Sequence, residues 1–280
     1  MLSYLSILSF PGIDPVAIEI GPFSIKWYGL AYMTGLLLGW WYIRRLVATP
    51  PLWRDDKAPL TLAQTDDLLL WVTLSIIVGG RLGQVLLYDP SYYFQNPVEI
   101  LKTWRGGMSF HGALIASGLM LLLFAHWQKI SARSVMDLCC AAVPFGLLFG
   151  RVANFINSEH WGRPSDVAWA MVFPNGGDVP RHPSQLYEAA LEGIAMFVLL
   201  RILTHRFLAL KQPGLVTGVW LVWYAIARTI CEVFREPESM HALNLGPFTA
   251  GQMYSIPMLL LGLFLILRAR LALNGGKAGA

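Results

Sequence analysis

GRVANFINSEHWGR, residues 150–163, ends a long apolar run with an arginine, several amide and hydroxyl side chains and a glutamate. The run before it, 135–156, is long enough to read as a helix that crosses a bilayer. Arg151 therefore stands where that helix is still in lipid. A charge at such a depth costs about 2.5–3.5 kcal/mol even on the mildest insertion scales. A chain that keeps it gives it an anionic partner, and the abundant anion of a bilayer is a phospholipid phosphate.

The rest of the chain has the same character. Of its 280 residues, 55% are apolar and 14% charged, and the mean hydropathy is +0.52. That composition excludes an ordinary soluble domain. Seven segments are apolar and close to the ~20 residues a span requires: 27–43, 68–88, 108–127, 135–156, 186–207, 214–234 and 252–267. The second is interrupted by Arg81 and preceded by Asp66 and Asp67. The expected fold is an all-α, polytopic membrane protein of seven transmembrane helices, forming a single domain over 1–280.

Orientation follows the basic residues. Twelve of the 21 lysines and arginines, among them Arg44, Arg45, Lys129, Arg133, Arg201 and Arg268, fall on one side. Six fall on the other, and Arg81, Arg151 and Arg228 lie inside spans. The richer side is cytoplasmic, so the C-terminus is expected inside and the N-terminus outside. Residues 1–24 lack a basic start and a small-residue cleavage pattern, and are expected to lie along the outer surface. The connection 157–183, with its own turn residues Asn175-Gly176-Gly177-Asp178, is expected as an outer cap between spans four and five. The net charge of +4 reflects cytoplasmic loops meeting anionic lipid, not nucleic acid. Cys139, Cys140 and Cys231 lie within spans as small apolar fillers, and no metal-ligand spacing is present.

Four spans carry polar residues at helical spacing. Arg81, Gln84 and Tyr88 share one face of the second, and Arg151, Asn154 and Ser158 one face of the fourth. Gln185, Glu188 and Glu192 line the fifth, and Arg228, Glu232 and Arg235 the sixth. Such stripes must face one another or a wet cavity. With His111 near the start of the third span, they suggest a chamber near the outer leaflet, net positive or near neutral. Guanidinium forks match phosphate oxygens there. Taken singly, several members have plainer readings: Arg228 with Glu232 as a structural ion pair, Glu192 as structural, and Gly79, Gly80 and Gly83 as close helix packing.

The motifs GRVANFINSEHWGR, WYG (27–29), SFHGAL (109–114), RHPSQLYEA (181–189) and FREPE (234–238) together resemble the bacterial prolipoprotein diacylglyceryl transferase family, in the family's order and over nearly the whole chain. The resemblance implies seven spans with the N-terminus outside, in the bacterial cytoplasmic (inner) membrane, and a site toward the outer leaflet. It implies transfer of the diacylglyceryl group of phosphatidylglycerol to the lipobox cysteine of a preprolipoprotein. A thioether forms and glycerol 1-phosphate leaves; no cofactor is involved. Carried over by motif, Arg151 and Arg235 would hold the lipid phosphate and His111 would be the catalytic-region histidine. Tyr28, Asn154, Glu159, Gly162, Gln185 and Glu188 would support substrate binding. The chain departs from the family at Gly112-Ala113, where two glycines are usual, and at Ala153, where glycine is frequent.

The chemistry of the residues agrees. A thiol, with a pKa near ~8.5, must lose its proton to attack a saturated carbon. Neutral His111 could accept it, as could Glu188 or Glu159 if desolvated. Arginines would neutralise the leaving phosphate. A lipid or anion transporter using the same chamber is the alternative, although no inverted repeat or broken helix is evident. An intramembrane protease would lack its metal motif.

Overall fold

In a computed structural model, residues 8–21, 23–103, 106–236 and 249–277 are described. Residues 1–7 and Pro22 of the expected surface segment, and Pro237 and Glu238 of the FREPE motif, lie outside them. The chain is mostly helical, and every one of the seven apolar segments is occupied by helix. Among the described residues, four helical stretches are long and apolar enough to cross a membrane: Leu62–Tyr88, Ala132–Ile156, Leu215–Phe234 and Gly251–Ala272. A shorter apolar helix runs over His111–Trp127. Large apolar side chains such as Ile115, Leu119, Leu260 and Phe264 are exposed along these helices, as on surfaces that face hydrocarbon rather than water.

The expectation of an all-α chain is corrected at the start. Strand β1 (Leu8–Ser9) is followed by β2 (Val16–Ile20) and β3 (Phe23–Lys26). The latter two pair antiparallel, with Ile20 opposite Phe23 and Gly21 in the left-handed region at the turn. Alternating β-branched residues at Val16, Ile18 and Ile20 favour a pleated ribbon over a helix. The Trp27 N–H donates to the Pro15 carbonyl at 3.1 Å, fixing this hairpin to the start of α1 (Trp27–Val47).

Contacts divide the chain into two compact units, Met1–Ile43 with Asp137–Ala280, and Arg44–Met136. In the second, α2 (Leu62–Gly83) begins at a reciprocal cap: the Gln64 N–H donates to Thr61 Oγ1, and the Thr61 N–H to Gln64 Oε1. This cap places the helix start six residues before the expected 68, and Arg44 pairs with Asp66 at 2.5 Å on its first turns. A wider π turn (Gln84–Tyr88) and a short helix, α3 (Pro90–Gln95), follow. Helix α4 (Phe110–Trp127), capped by Ser109, packs on α2 through glycines. A Cβ on Gly83 would lie 2.7 Å from the Gly112 Cα, so only glycine permits that approach.

The first unit holds α5 (Ala132–Ile156) from Asp137 onward, β4 (Met171–Val172), which pairs with β1, and α6 (Ser184–Glu188). After α6 come a second π stretch (Ala189–Ala195), α7 (Met196–His205), α8 (Leu215–Phe234) and α9 (Ala250–Lys277). Helix α8 starts on a buried carboxylate. Asp137 accepts from the Gly214 N–H at 2.7 Å, the Thr217 N–H at 2.8 Å and Thr217 Oγ1 at 2.6 Å. Helix N-termini expose such donors, and an anion there is favoured.

Candidate active site

Helix α5, α6 with the π stretch after it, and α8 with its C-terminal cap Arg235 bring six charged side chains into one ion-pair cluster in the first unit. Glu188, with no exposed surface, is its hub. Its Oε1 accepts from Arg228 Nη1 at 2.7 Å and Arg235 Nη1 at 2.9 Å. Its Oε2 lies 3.2 Å from Arg151 Nε, a charge contact without hydrogen-bond geometry. Glu192 Oε2 accepts from Arg151 Nε at 3.3 Å and Nη2 at 3.2 Å. Arg228 Nη2 also lies 2.8 Å from Glu232 Oε2, one turn along α8. Three guanidiniums thus face three carboxylates. Each charge, taken singly, would be costly at this burial, so the pairing is what makes the cluster tolerable.

The remaining expected residues of this unit lie around the cluster. Asn154, one turn beyond Arg151, donates from Nδ2 to Glu159 Oε2 at 3.4 Å. Gln185, fully buried one turn before Glu188, donates from Nε2 to the Glu159 carbonyl at 2.6 Å. Arg235 Nη2 donates to His160 Nδ1 at 3.4 Å. The Tyr28 hydroxyl is 3.1 Å from that of Tyr32, and Tyr28 is close enough to Glu159 and Arg151 to feel their charges.

Backbone pairing aims Arg235. Gly162 donates its N–H to the His182 carbonyl at 2.9 Å, His182 to the Arg163 carbonyl at 3.1 Å, and Arg163 to the Phe234 carbonyl at 2.9 Å. Arg163 Nε adds a bond to the Arg235 carbonyl at 2.8 Å. The ladder joins residues 162–163 to 182 on one side and to the end of α8 on the other. A Cβ on Gly162 would sit 2.5 Å from the Phe234 carbonyl oxygen and 2.7 Å from His182. Glycine is required there by the closeness of three backbones.

A family model described as prolipoprotein diacylglyceryl transferase matches residues 15–268. The chain belongs to this family. Relatives named phosphatidylglycerol–prolipoprotein diacylglyceryl transferase include that of Allorhizobium ampelinum, 51% identical over 271 residues, covering 96% of this chain and 94% of the relative. That of Rhizobium meliloti is 51% identical over 269 residues, covering 96% of each. That of Rhodopseudomonas palustris is 47% identical over 275 residues, covering 98% of this chain and 96% of the relative.

Two expected members lie in the second unit. His111 is in the first turn of α4, its Nδ1 3.3 Å from the Tyr88 hydroxyl. Arg81, placed by its spacing in the polar chamber, has a different occupation. Its guanidinium donates to the carbonyls of Ile100 at 2.8 Å, Gly106 at 2.7 Å, Gly107 at 2.9 Å and Glu99, and it stacks 4.9 Å from the Tyr93 ring. It anchors the loop before α4 through neutral acceptors, so its role is structural. The polar stripe of α2 could not reveal this, because backbone carbonyls leave no mark in a sequence.

Other members were missed for the same reason. Arg181 donates from Nε to the Gly176 carbonyl at 2.9 Å, and from Nη1 to the Gly162 carbonyl at 3.2 Å and Glu236 Oε2 at 2.9 Å. It also lies 5.4 Å over the Trp161 ring, and so ties the connection 157–183 to the end of α8. Its place in the RHPSQLYEA motif was the available signal. Trp169 Nε1 donates to the Tyr187 hydroxyl at 2.6 Å, which lies 3.1 Å from His182 Nδ1. Burial lowers the His182 pKa from its usual value, which favours a neutral ring beside the Tyr187 hydroxyl.

Proposed function

We propose that this chain is a phosphatidylglycerol–prolipoprotein diacylglyceryl transferase of the bacterial inner membrane. It moves the diacylglyceryl group of phosphatidylglycerol onto the lipobox cysteine thiol of a preprolipoprotein. In the reaction the thiol sulfur bonds to the terminal glyceryl carbon, the carbon–oxygen bond to phosphate breaks, and glycerol 1-phosphate leaves. The thiol proton is transferred, overall, to the leaving phosphate. The observation that carries this reading is the cluster of the Arg151, Arg228 and Arg235 guanidiniums around the fully buried Glu188 in a chain of this family.

Arg151 and Arg235 take the lipid phosphate and stabilise the charge that grows on it as the bond to carbon breaks. Preorganised donors in a low-dielectric site count for more than the same groups in water. Glu188 orients both guanidiniums from behind. Asn154, Glu159, Gly162 and Gln185 hold the backbone and side chains that surround them, with Tyr28 as a further substrate contact. His111 is the candidate base for the thiol, its Nδ1 set by the Tyr88 hydroxyl. The seven helical segments are seven spans over a single domain, 1–280. The N-terminus and residues 1–24 lie outside, the C-terminus is cytoplasmic, and 157–183 form an outer cap. The site opens to the outer leaflet, where a lipid and a signal peptide can both reach it.

Incubation of the purified protein with phosphatidylglycerol and a lipobox peptide, followed by mass spectrometry, tests this reading. A thioether-linked peptide with an equal amount of glycerol phosphate supports it. Lipid crossing a vesicle without covalent change indicates a transporter and overturns it; so does cleaved peptide.

A further inference from the structure

Charge balance in the cluster raises a question about how an anion enters it. Arg151, Arg228 and Arg235 are matched one for one by Glu188, Glu192 and Glu232. A phosphodiester added to a neutral, buried cluster leaves one uncompensated negative charge, which a low-dielectric surrounding makes costly. Neutrality returns if one carboxylate takes up a proton or leaves. The three carboxylates are not equally able to do so.

Glu188 meets all three arginines and is held as an anion by each of them. Glu232 Oε2 lies 2.8 Å from Nη2 of Arg228, a charge contact without hydrogen-bond geometry, and Arg228 is not read as a phosphate ligand, so an anion at Arg151 does not displace this carboxylate. Glu192 meets Arg151 through Oε2 alone, and its fully buried Oε1 accepts no hydrogen bond among the described residues. Arg151 has a second carboxylate, Glu188 Oε2, at 3.2 Å, as Arg228 has both Glu188 and Glu232, but of the two only Arg151 is read as a phosphate ligand. It therefore keeps a partner when it gives up Glu192. The other groups that act on Glu192 are Glu188 on its own helical segment and Arg228, Tyr224 and Cys231 on α8. Of these only Arg228 is cationic, and it is already shared by Glu188 and Glu232.

We propose that Glu192 takes up a proton when the phosphate of a lipid anion binds at Arg151. The phosphate takes the place of the Glu192 carboxylate on the guanidinium, and the neutral carboxyl keeps the cluster free of net charge. Glu192 is then a positioning residue that sets Arg151 and couples lipid binding to pH. This inference rests on the reading of Arg151 as the phosphate ligand.

The test is a titration of the purified, detergent-solubilised protein with short-chain phosphatidylglycerol, made by calorimetry in two buffers of different ionisation enthalpy. Wild type is expected to absorb about one proton per lipid bound, with Kd rising on the order of tenfold per pH unit over that range. Diacylglycerol, which has no phosphate, is expected to bind without a pH slope. In E192Q binding persists while both proton uptake and slope vanish. Wild-type binding without proton uptake, or uptake that survives in E192Q, overturns the inference while leaving the phosphate reading intact. A wild type that does not bind the lipid overturns both. Should E192Q fail to fold, the wild type decides. A slope of one, with a carboxylic-acid band appearing in the infrared on lipid addition, supports the inference, and a flat profile or no such band overturns it.

Discussion

Glu188→Gln is the sharpest perturbation of the charge cluster, because one substitution changes the environment of three arginines. Glutamine keeps an oxygen where Oε1 accepts from Arg228 at 2.7 Å and Arg235 at 2.9 Å. It removes the charge and places an amide toward Arg151 Nε, 3.2 Å from Oε2. Three buried or partly buried cations then face two anions. Breaking a buried pair by removing one partner costs about 3–5 kcal/mol, and the retained acceptor puts this case near the lower end, about 3 kcal/mol. For a chain of this size each kcal/mol moves the unfolding midpoint by about 2–4 °C, so a fall of about 6–12 °C is expected. Glu192→Gln and Glu232→Gln each disturb a single arginine and are expected to cost about 1.5 kcal/mol, or about 3–6 °C. Thermal unfolding in detergent can be followed by alkylation of Cys231, which is fully buried in the folded chain. Equal shifts for the three variants, or the smallest shift for Glu188→Gln, would refute the hub arrangement.

Three further outcomes follow from the geometry. Gly162→Ala drives a methyl group to 2.5 Å from the Phe234 carbonyl; transfer activity is expected to fall by at least about tenfold as Arg235 is displaced, read as initial rate on lipobox peptide. Asp137→Ala leaves the Gly214 and Thr217 donors of α8 without their acceptor and is expected to cost about 2–3 kcal/mol, seen as a lower unfolding midpoint with no change in the pH profile of activity. Burial lowers the His182 pKa, so on acidification the unfolded chain takes the proton first. Stability is expected to decline as pH falls below about 6.5 and to be independent of this group above it. His182→Gln removes that part of the decline, which unfolding midpoints at pH 5 and pH 7 measure.

Much of the fold was legible because lipid imposes a simple rule: apolar length means helix. All seven apolar segments are helical, and the polar stripes of three of them meet as their spacing required. What the sequence concealed was set by the backbone. The Thr61–Gln64 cap moved a helix start, and the expected surface segment carries a β2–β3 hairpin. Arg81 shows the limit most clearly. Its spacing on α2 matched that of Arg151 on α5, yet carbonyls rather than carboxylates took its guanidinium. Glu192 shows the converse, for it read as a plain structural residue and stands on the phosphate-binding candidate itself.

The phosphate role of Arg151 is tested most directly by the single-turnover rate of Arg151→Lys with phosphatidylglycerol and lipobox peptide. Lysine keeps the charge but offers no planar fork to hold Glu188 and a phosphate at once. The account predicts a loss on the order of 10²–10³-fold in the transfer step, the scale of one missing oxyanion donor. Transfer at a near-normal rate would contradict it.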